Sequence, residues 1–178
     1  FITNGATKRS PSTDEMAAVA AVNTRSTTNT NMCGFFALTQ PGNVTVSVNG
    51  DSGTGTLRQA VNDVCNSDTI VFSLPTNSTI TLTGGEIAIT SDMKIFGNDI
   101  NNFIISGNNT SRIFNVSAGK TLTLRDMKLI NGFSSTNGGA IYNQGTLSLK
   151  NVQFQNNNQG SALKKSFSTA VGAFVNLE

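Results

Sequence analysis

The sequence predicts an all-β solenoid, in which short strands wind into stacked coils behind one capping helix. The first observation is a repeat: residues 121–131 (TLTLRDMKLIN) return 25 residues later as residues 146–156 (TLSLKNVQFQN). The second is the alternation of apolar and polar residues inside both copies, which is typical of half-buried strands. The third is the fixed period itself, because repeats of this size are typical of stacked coils, whose surface is long rather than deeply pocketed. The matched apolar residues are Leu122/Leu147, Leu124/Leu149, Met127/Val152 and Leu129/Phe154.

The composition favours a secreted β protein. The chain has 178 residues, enough for one domain with a core, and only 12% of them are charged. Histidine and tryptophan are absent. The net charge of +2 is too small to argue for nucleic acid or an anionic membrane as a partner, and we expect no nucleic acid partner. No stretch is long and apolar enough for a transmembrane helix. We therefore expect an extracellular or cell-surface location with no membrane span.

The first zone, residues 1–42, is predicted to be a polar N-terminal arm. It is rich in Ser, Thr and Asn and would hardly fold alone. Its cysteine, Cys33, has one possible partner in the sequence, Cys65. Two alternatives are open: one disulfide that pins the arm to the predicted helix, or two buried free thiols.

The second zone, residues 43–178, is predicted to be the solenoid domain. An entry strand at 45–48 precedes a helix from Thr56 to Asn66, with Thr56 as its N-cap. The helix has one apolar stripe and is expected to plug the open end of the core. The stripe consists of Leu57, Ala60, Val61, Val64 and Cys65.

Short strands closed by Gly, Asn or Asp are expected along the rest of this domain, because these residues tolerate the positive φ of sharp corners. The segments are 68–72, 86–90, 93–97 and 102–107. From residue 160 to 178 the pattern weakens, and we expect either a further coil or an irregular C-terminal cap.

Upstream of the repeat, residues 112–115 align with residues 140–143 at an offset of 28. This alignment predicts that the turn after the first segment is three residues longer than its counterpart. It also predicts stacked asparagine ladders, since Asn side chains can hydrogen-bond along a stack of strands. The expected ladder pairs are Asn115/Asn143 and Asn131/Asn156.

A family resemblance rests on two groups of residues. Gly138–Ile141 and Phe154–Asn157 resemble the paired GGA(I/L/V) and FxxN motifs of polymorphic outer-membrane protein repeats. Gly55–Val61 followed by Asp68–Phe72 is similar to the opening of many bacterial surface β-helix proteins. The resemblance covers roughly residues 44–158. It implies a right-handed parallel β-helix that is exported or secreted and acts as an adhesin or passenger domain.

Catalysis is not expected from the residues of the repeat. β-Helices that cleave acidic polysaccharides use two or three carboxylates on adjacent coils. Asp126, beside Arg125 and Lys128, is the best single candidate, but Asn151 takes its position in the next copy. We therefore predict no catalytic residue, with Asp126 as a weak alternative, and no metal site or cofactor.

Hydroxyl side chains are predicted to form an outward ladder on the solenoid. Its members are Thr121 and Thr123 in the first copy and Thr146 and Ser148 in the second, with Thr79–Thr83 as an extension. Such rows suit ice or sugar surfaces, although Thr is also a common outward strand residue. Arg125 and Lys150 are expected to stack beside them as a small basic stripe.

These patterns favour a non-enzymatic extracellular module with a structural or adhesive role. A sharper version is a filament subunit that stacks head-to-tail and uses the arm of residues 1–42 to contact its neighbour. The alternative is a polysaccharide-binding or polysaccharide-cleaving β-helix. The expected partners are further copies of the chain, another cell-surface protein or glycans.

Overall fold

The predicted parallel β-solenoid is confirmed by a computed structural model, which describes residues 24–26 and 42–159. Parallel strands wind through about five turns, with one short helix near the N-terminal end of the described part. The helix is α1 (Leu57–Asp63). The strands are β1 (Thr24–Ser26), β2 (Asn43–Val46), β3 (Asp68–Phe72), β4 (Thr79–Thr81), β5 (Ile87–Ile89), β6 (Met93–Phe96), β7 (Ile104–Ser106), β8 (Phe114–Val116), β9 (Thr121–Ile130), β10 (Phe133–Ser134), β11 (Ile141–Asn143), β12 (Thr146–Gln155) and β13 (Asn158–Gln159).

Part of the predicted arm belongs to the stack of strands. β1 pairs in parallel with β2 and so extends the largest sheet by one strand. Apart from Gly42, the remaining residues of the arm lie outside the described residues, as does the predicted C-terminal tail.

The two copies of the repeat stack in register, as their sequences predict. Thr121 lies opposite Thr146 and Leu124 opposite Leu149, and the pairing continues to Ile130 opposite Gln155. Strands in a sheet lie about 4.8 Å apart, so each inward side chain contacts its counterpart one coil away. Burying one such aliphatic side chain stabilises the fold by about 1.5–3 kcal/mol. One continuous inward column consists of Val44, Ile70, Ile95, Leu124 and Leu149.

The corners between strands use residues that tolerate a left-handed backbone. Asp126 and Asn151 both have φ of 56°, at matching places in the two repeats. In the preceding coil this place is held by Gly97, where a Cβ would collide with the carbonyl oxygen of Asp126. Asp and Asn adopt this conformation more readily than other side chains because they can hydrogen-bond locally. The bends of the chain therefore lie at Asp, Asn and Gly residues, as the sequence predicted.

The capping helix is confirmed, but it is shorter than predicted. Thr56 is the N-cap, and its Oγ1 accepts a hydrogen bond from the Gln59 backbone N–H at 3.4 Å. The helix ends at Asp63 because Val64 has an extended backbone with ψ of 142°. The apolar stripe through Val64 is buried, and the helix packs against β2 and β5. Cys65 lies just beyond the helix and is half-buried.

The predicted offset of 28 is wrong. β8 pairs with β11 at an offset of 27, which places Phe114 opposite Ile141 and Asn115 opposite Tyr142. The carbonyl of Ala140 accepts hydrogen bonds from both Ile113 N–H (2.8 Å) and Phe114 N–H (3.1 Å), and this sharing moves the register by one residue. The turn at 117–120 is therefore two residues longer than its counterpart at 144–145, and not three.

The predicted Asn115/Asn143 ladder is wrong for the same reason, since Asn143 lies opposite Val116. Asn131 and Asn156 do occupy corresponding corners, with φ of 52° and 54°. A side-chain ladder joins a different pair, because Asn151 Nδ2 donates to Asp126 Oδ1 at 2.7 Å. Amide and carboxylate side chains thus connect adjacent coils at one corner.

Candidate functional site on the outer face of the long strands

The first halves of β9 and β12 present a regular set of outward polar side chains. Leu122 and Leu124 point inward and are fully buried, so their alternating neighbours point outward. We call this surface the hydroxyl–cation face. It consists of Thr121, Thr123 and Arg125 on β9, Thr146, Ser148 and Lys150 on β12, and Lys94 on β6.

The structure brings the four predicted ladder residues together on this face. Thr121 lies opposite Thr146 and Thr123 opposite Ser148, so the hydroxyls form a two-by-two grid. The proposed extension through Thr79–Thr83 is wrong. β4 pairs with β7, which pairs in turn with the second half of β9, beyond the corner at Asp126. Lys94 continues the column of Thr123 instead.

Arg125 is held in place by two neighbours. Its Cζ lies 4.2 Å from the centroid of the Phe96 ring, a cation–π distance, and Phe96 is its register partner on β6. Its Nε lies 2.9 Å from Asp126 Oδ2. Within the described residues, no hydrogen bond occupies its Nη1 or Nη2. These two contacts orient the guanidinium and leave its outer edge open.

The lysines of the face carry their charge outward. Lys150 lies opposite Arg125 on the next coil, which confirms the predicted stacking of these two residues. Lys94 and Lys150 are exposed, and neither ammonium forms an ion pair with any part of the chain that the structure describes. One carboxylate borders the hydroxyls: Asp92 Oδ1 accepts a hydrogen bond from the Thr121 backbone N–H at 2.8 Å.

Asp126, the weak catalytic candidate, occupies a structural corner. One carboxylate oxygen accepts the hydrogen bond from Asn151 and the other pairs with Arg125. Asn151 lies at the corresponding corner of the next coil, so no second carboxylate stacks there. These contacts connect two coils and orient Arg125.

A second polar cluster joins the capping helix to a later turn, and sequence reasoning missed it. We call it the helix clamp; it consists of Asp51, Arg58 and the turn at 83–86. Asp51 Oδ1 accepts hydrogen bonds from Arg58 Nε (3.1 Å) and Nη2 (2.8 Å). Asp51 Oδ2 accepts hydrogen bonds from the backbone N–H groups of Thr83 (2.9 Å) and Gly84 (2.6 Å). Arg58 also donates to the carbonyl oxygens of Gly85 and Glu86.

Two opposing effects act on the pKa of Asp51. Burial alone would raise it, since a carboxylate loses solvation in a low-dielectric site. The hydrogen bonds from Gly84, Thr83 and Arg58 favour the charged form and outweigh burial, so the pKa lies below its ordinary value of 3.8. The clamp is therefore strongest while Asp51 is ionised.

The ionic contacts continue one coil further. Glu86 Oε2 pairs with Arg112 Nη1 at 2.9 Å, and Glu86 Oε1 accepts a hydrogen bond from Asn115 Nδ2 at 2.7 Å. Arg112 also lies over the Tyr142 ring, with Cζ 5.2 Å from the centroid. One signal for this contact was present in the sequence: Glu86 and Arg112 are opposite charges about one coil period apart.

Cys65 is disulfide-bonded. Cys33, the only other cysteine of the sequence, lies outside the described residues.

The described residues form no metal-binding cluster and no membrane-spanning helix. None of them form a group of three or more His, Cys, Asp or Glu side chains that could hold a metal ion. No helix in the same part of the chain is long and apolar enough to cross a membrane. Comparisons with known protein families, curated proteins and solved structures found no match to this chain.

Proposed function

We propose that the chain is a non-enzymatic structural and adhesive β-helix module of the extracellular space or cell surface. The observation that carries the proposal is a contrast between two sets of polar side chains: one set connects coils and turns, and the other is exposed on one face. Asp51, Glu86 and Asp126 each make contacts that fasten coils or turns to one another. The hydroxyl–cation face, in contrast, is presented outward along two adjacent strands. A stacked scaffold with one regular exposed face suits attachment.

The disulfide bond of Cys65 supports an extracellular location. Disulfides persist in oxidising compartments and are rare where glutathione and thioredoxin keep thiols reduced. The low content of charged residues, 12%, is in keeping with the same setting.

Antibody labelling tests the location. We expect an antibody raised against the full chain to label intact, non-permeabilised cells of the source organism or their medium. Labelling that appears only after permeabilisation would overturn the extracellular assignment.

A turnover assay tests the non-enzymatic part. Incubation of the full chain with polygalacturonate and other acidic polysaccharides is expected to release no unsaturated or reducing products. Turnover that disappears in Asp126→Asn would replace the proposal with a polysaccharide-cleaving enzyme. Turnover in both chains would point to an enzyme that does not use Asp126.

A second candidate function, a filament subunit, is favoured by the charge distribution along the solenoid. Residues 42–119 contain six acids and three bases, for a net charge of −3, whereas residues 120–159 contain four bases and one acid, for a net charge of +3. Opposite charge on the early and late parts of the solenoid favours a head-to-tail contact, which propagates into a filament unless it closes. β1 already pairs with β2 of the same chain, so we place the contact at the coil ends rather than in strand addition by the arm.

Negative-stain imaging and sedimentation of the full chain test this candidate. Filaments are expected at about 20 mM salt and should shorten at about 500 mM, where charges are screened beyond a few ångströms. A monomer at both salt concentrations would eliminate the filament and leave the adhesive module in place.

A further inference from the structure

We propose that the hydroxyl–cation face binds an acidic polysaccharide. Arg125 and Lys150 receive its carboxylate or sulfate groups, and the four hydroxyl side chains hydrogen-bond its sugar hydroxyls. This inference rests on the proposed adhesive function and names the chemical class to which the module attaches.

The hydroxyl–cation face carries more positive than negative charge. The net charge of +2 for the whole chain conceals a net charge of +3 in residues 120–159. Asp126, the one acid in this segment, is already engaged by Asn151 and Arg125. Three cations, Lys94, Arg125 and Lys150, lie on three successive strands of one sheet and outnumber the two carboxylates that border the face, Asp92 and Asp126. An anionic partner is therefore electrostatically favoured at this face.

Arg125 is oriented by its neighbours before a ligand binds. Its guanidinium lies on the Phe96 ring and its Nε faces Asp126, so part of its side-chain freedom is already lost before binding. Its outer Nη1 and Nη2 can donate two parallel hydrogen bonds to a carboxylate or sulfate. Lys150, one coil away, supplies a second charge on the same column. The pair suits a polymer with charges repeated along its length.

The hydroxyl grid offers regularly spaced hydrogen-bonding groups to a sugar. Register partners such as Thr123 and Ser148 lie about 4.8 Å apart across strands, and outward neighbours lie about 6.7 Å apart along a strand. Each hydroxyl both donates and accepts hydrogen bonds, as sugar hydroxyls do. The grid adjoins the cations on the same strands, so one extended chain can contact both.

The face favours a polysaccharide over two other anionic partners. Single-stranded nucleic acid binds by stacking its bases on open aromatic rings. The aromatic ring at the face, that of Phe96, is covered by Arg125. A membrane surface requires apolar side chains that insert between lipids. The one exposed large hydrophobic residue in the described part of the chain, Val48, is not on the face.

Binding of the full chain to immobilised polymers, measured by biolayer interferometry, tests the inference. The probes are dextran sulfate, polygalacturonate, unmodified dextran and single-stranded DNA of matched length. We expect binding to one or both acidic polysaccharides and none to unmodified dextran. The first two probes distinguish sulfate from carboxylate as the recognised group.

Three variants locate the site. Arg125→Gln and Lys150→Gln are each expected to weaken binding about tenfold, the loss typical of one charge-assisted contact. Lys128→Gln is the matched control, because it removes the same charge beyond the corner at Asp126, and about twofold weakening is expected from its long-range field. Arg125→Lys keeps the charge but loses the paired donors, so it should fall between parent and Arg125→Gln. Thermal unfolding confirms that each variant is folded.

The outcomes are distinguishable. Equal weakening by Lys128→Gln and Lys150→Gln would show general charge attraction and overturn the assigned face. Equal binding of unmodified dextran, or tighter binding of DNA through the same residues, would overturn the assigned ligand class. If the full chain binds none of the four polymers but is still labelled at the cell surface, this inference is overturned and the proposed function stands.

Discussion

The early and late coils share one fold but use charged side chains in opposite ways. In residues 42–119, Arg58 and Arg112 each pair with a carboxylate and hold a helix or a turn to a neighbouring coil. In residues 120–159 the cations outnumber the acids, and Lys150 is exposed without an ion-pair partner in the described residues. The stacked aliphatic side chains of the core stabilise the coils, so not every charged side chain has to form an ion pair. The early coils therefore use both of their arginines to fasten a helix or a turn, whereas the late coils leave Lys150 and the outer edge of Arg125 available to a partner.

The largest expected effect compares two successive coils of the late region at one column. Leu122 is fully buried, whereas Leu147, its register partner one coil later, is half-buried. Leu122→Ala should lower the free energy of unfolding by about 3–4 kcal/mol through lost burial and a cavity, and Leu147→Ala by about 1 kcal/mol. Urea unfolding monitored by circular dichroism measures both values. Equal losses would show that the coil of β12 is as tightly packed as the coil of β9.

A smaller effect is expected at the corner shared by the two regions. Gly97 has no room for a Cβ, which would collide with the backbone of Asp126, so Gly97→Ala should cost about 2–3 kcal/mol. Asn151 occupies the corresponding corner with φ of 56° and is exposed, so Asn151→Gly loses only its exposed hydrogen bond to Asp126 and should cost about 1 kcal/mol or less. The same unfolding assay compares them. A neutral Gly97→Ala would show that the coils separate easily at this corner.

The helix clamp should make the stability of the early coils depend on pH. The pKa of Asp51 is lowered in the folded state, so its contribution is present above its ordinary value of 3.8 and is lost as pH falls through the lowered value. Asp51→Asn should cost about 2 kcal/mol at pH 7, because its side chain is only 6% exposed and bonds to Arg58. The difference between parent and variant should shrink below about pH 4.

A comparison of the two chains isolates this carboxylate. Burial raises the pKa of Asp63, which gives an opposite pH trend, but that residue is present in both chains and cancels in the difference. A difference that stays constant from pH 7 to the acid range would contradict the assigned role of Asp51. Equilibrium unfolding at a series of pH values provides the measurement.

The sequence predicted the structural features that depend on residues close to one another in the chain. The alternation in β9 and β12 predicted their register, and Thr56 marked the start of the helix, because neighbours in sequence determine both features. The offset of β8 and β11 was predicted wrongly because two N–H groups share the carbonyl of Ala140. These hydrogen bonds join residues of different coils, so the local sequence does not reveal them. The helix clamp was missed because Asp51 reaches a turn 33 residues away. For the site, the hydroxyl grid was predictable, but the orientation of Arg125 depends on Phe96 from another strand.

The smallest expected effect concerns the exposed ion pair of the early coils. Glu86 and Arg112 have side chains 30% and 20% exposed, so water screens much of their attraction, and pairs of this kind contribute about 0.2–1 kcal/mol. Glu86→Gln keeps an acceptor for Asn115 and should cost less than 1 kcal/mol, with the loss decreasing in high salt. Unfolding at low and high salt measures it. A salt-independent loss above 2 kcal/mol would mean that this pair fastens the coils as firmly as the clamp does, and that pairing rather than burial gives the early coils their stability.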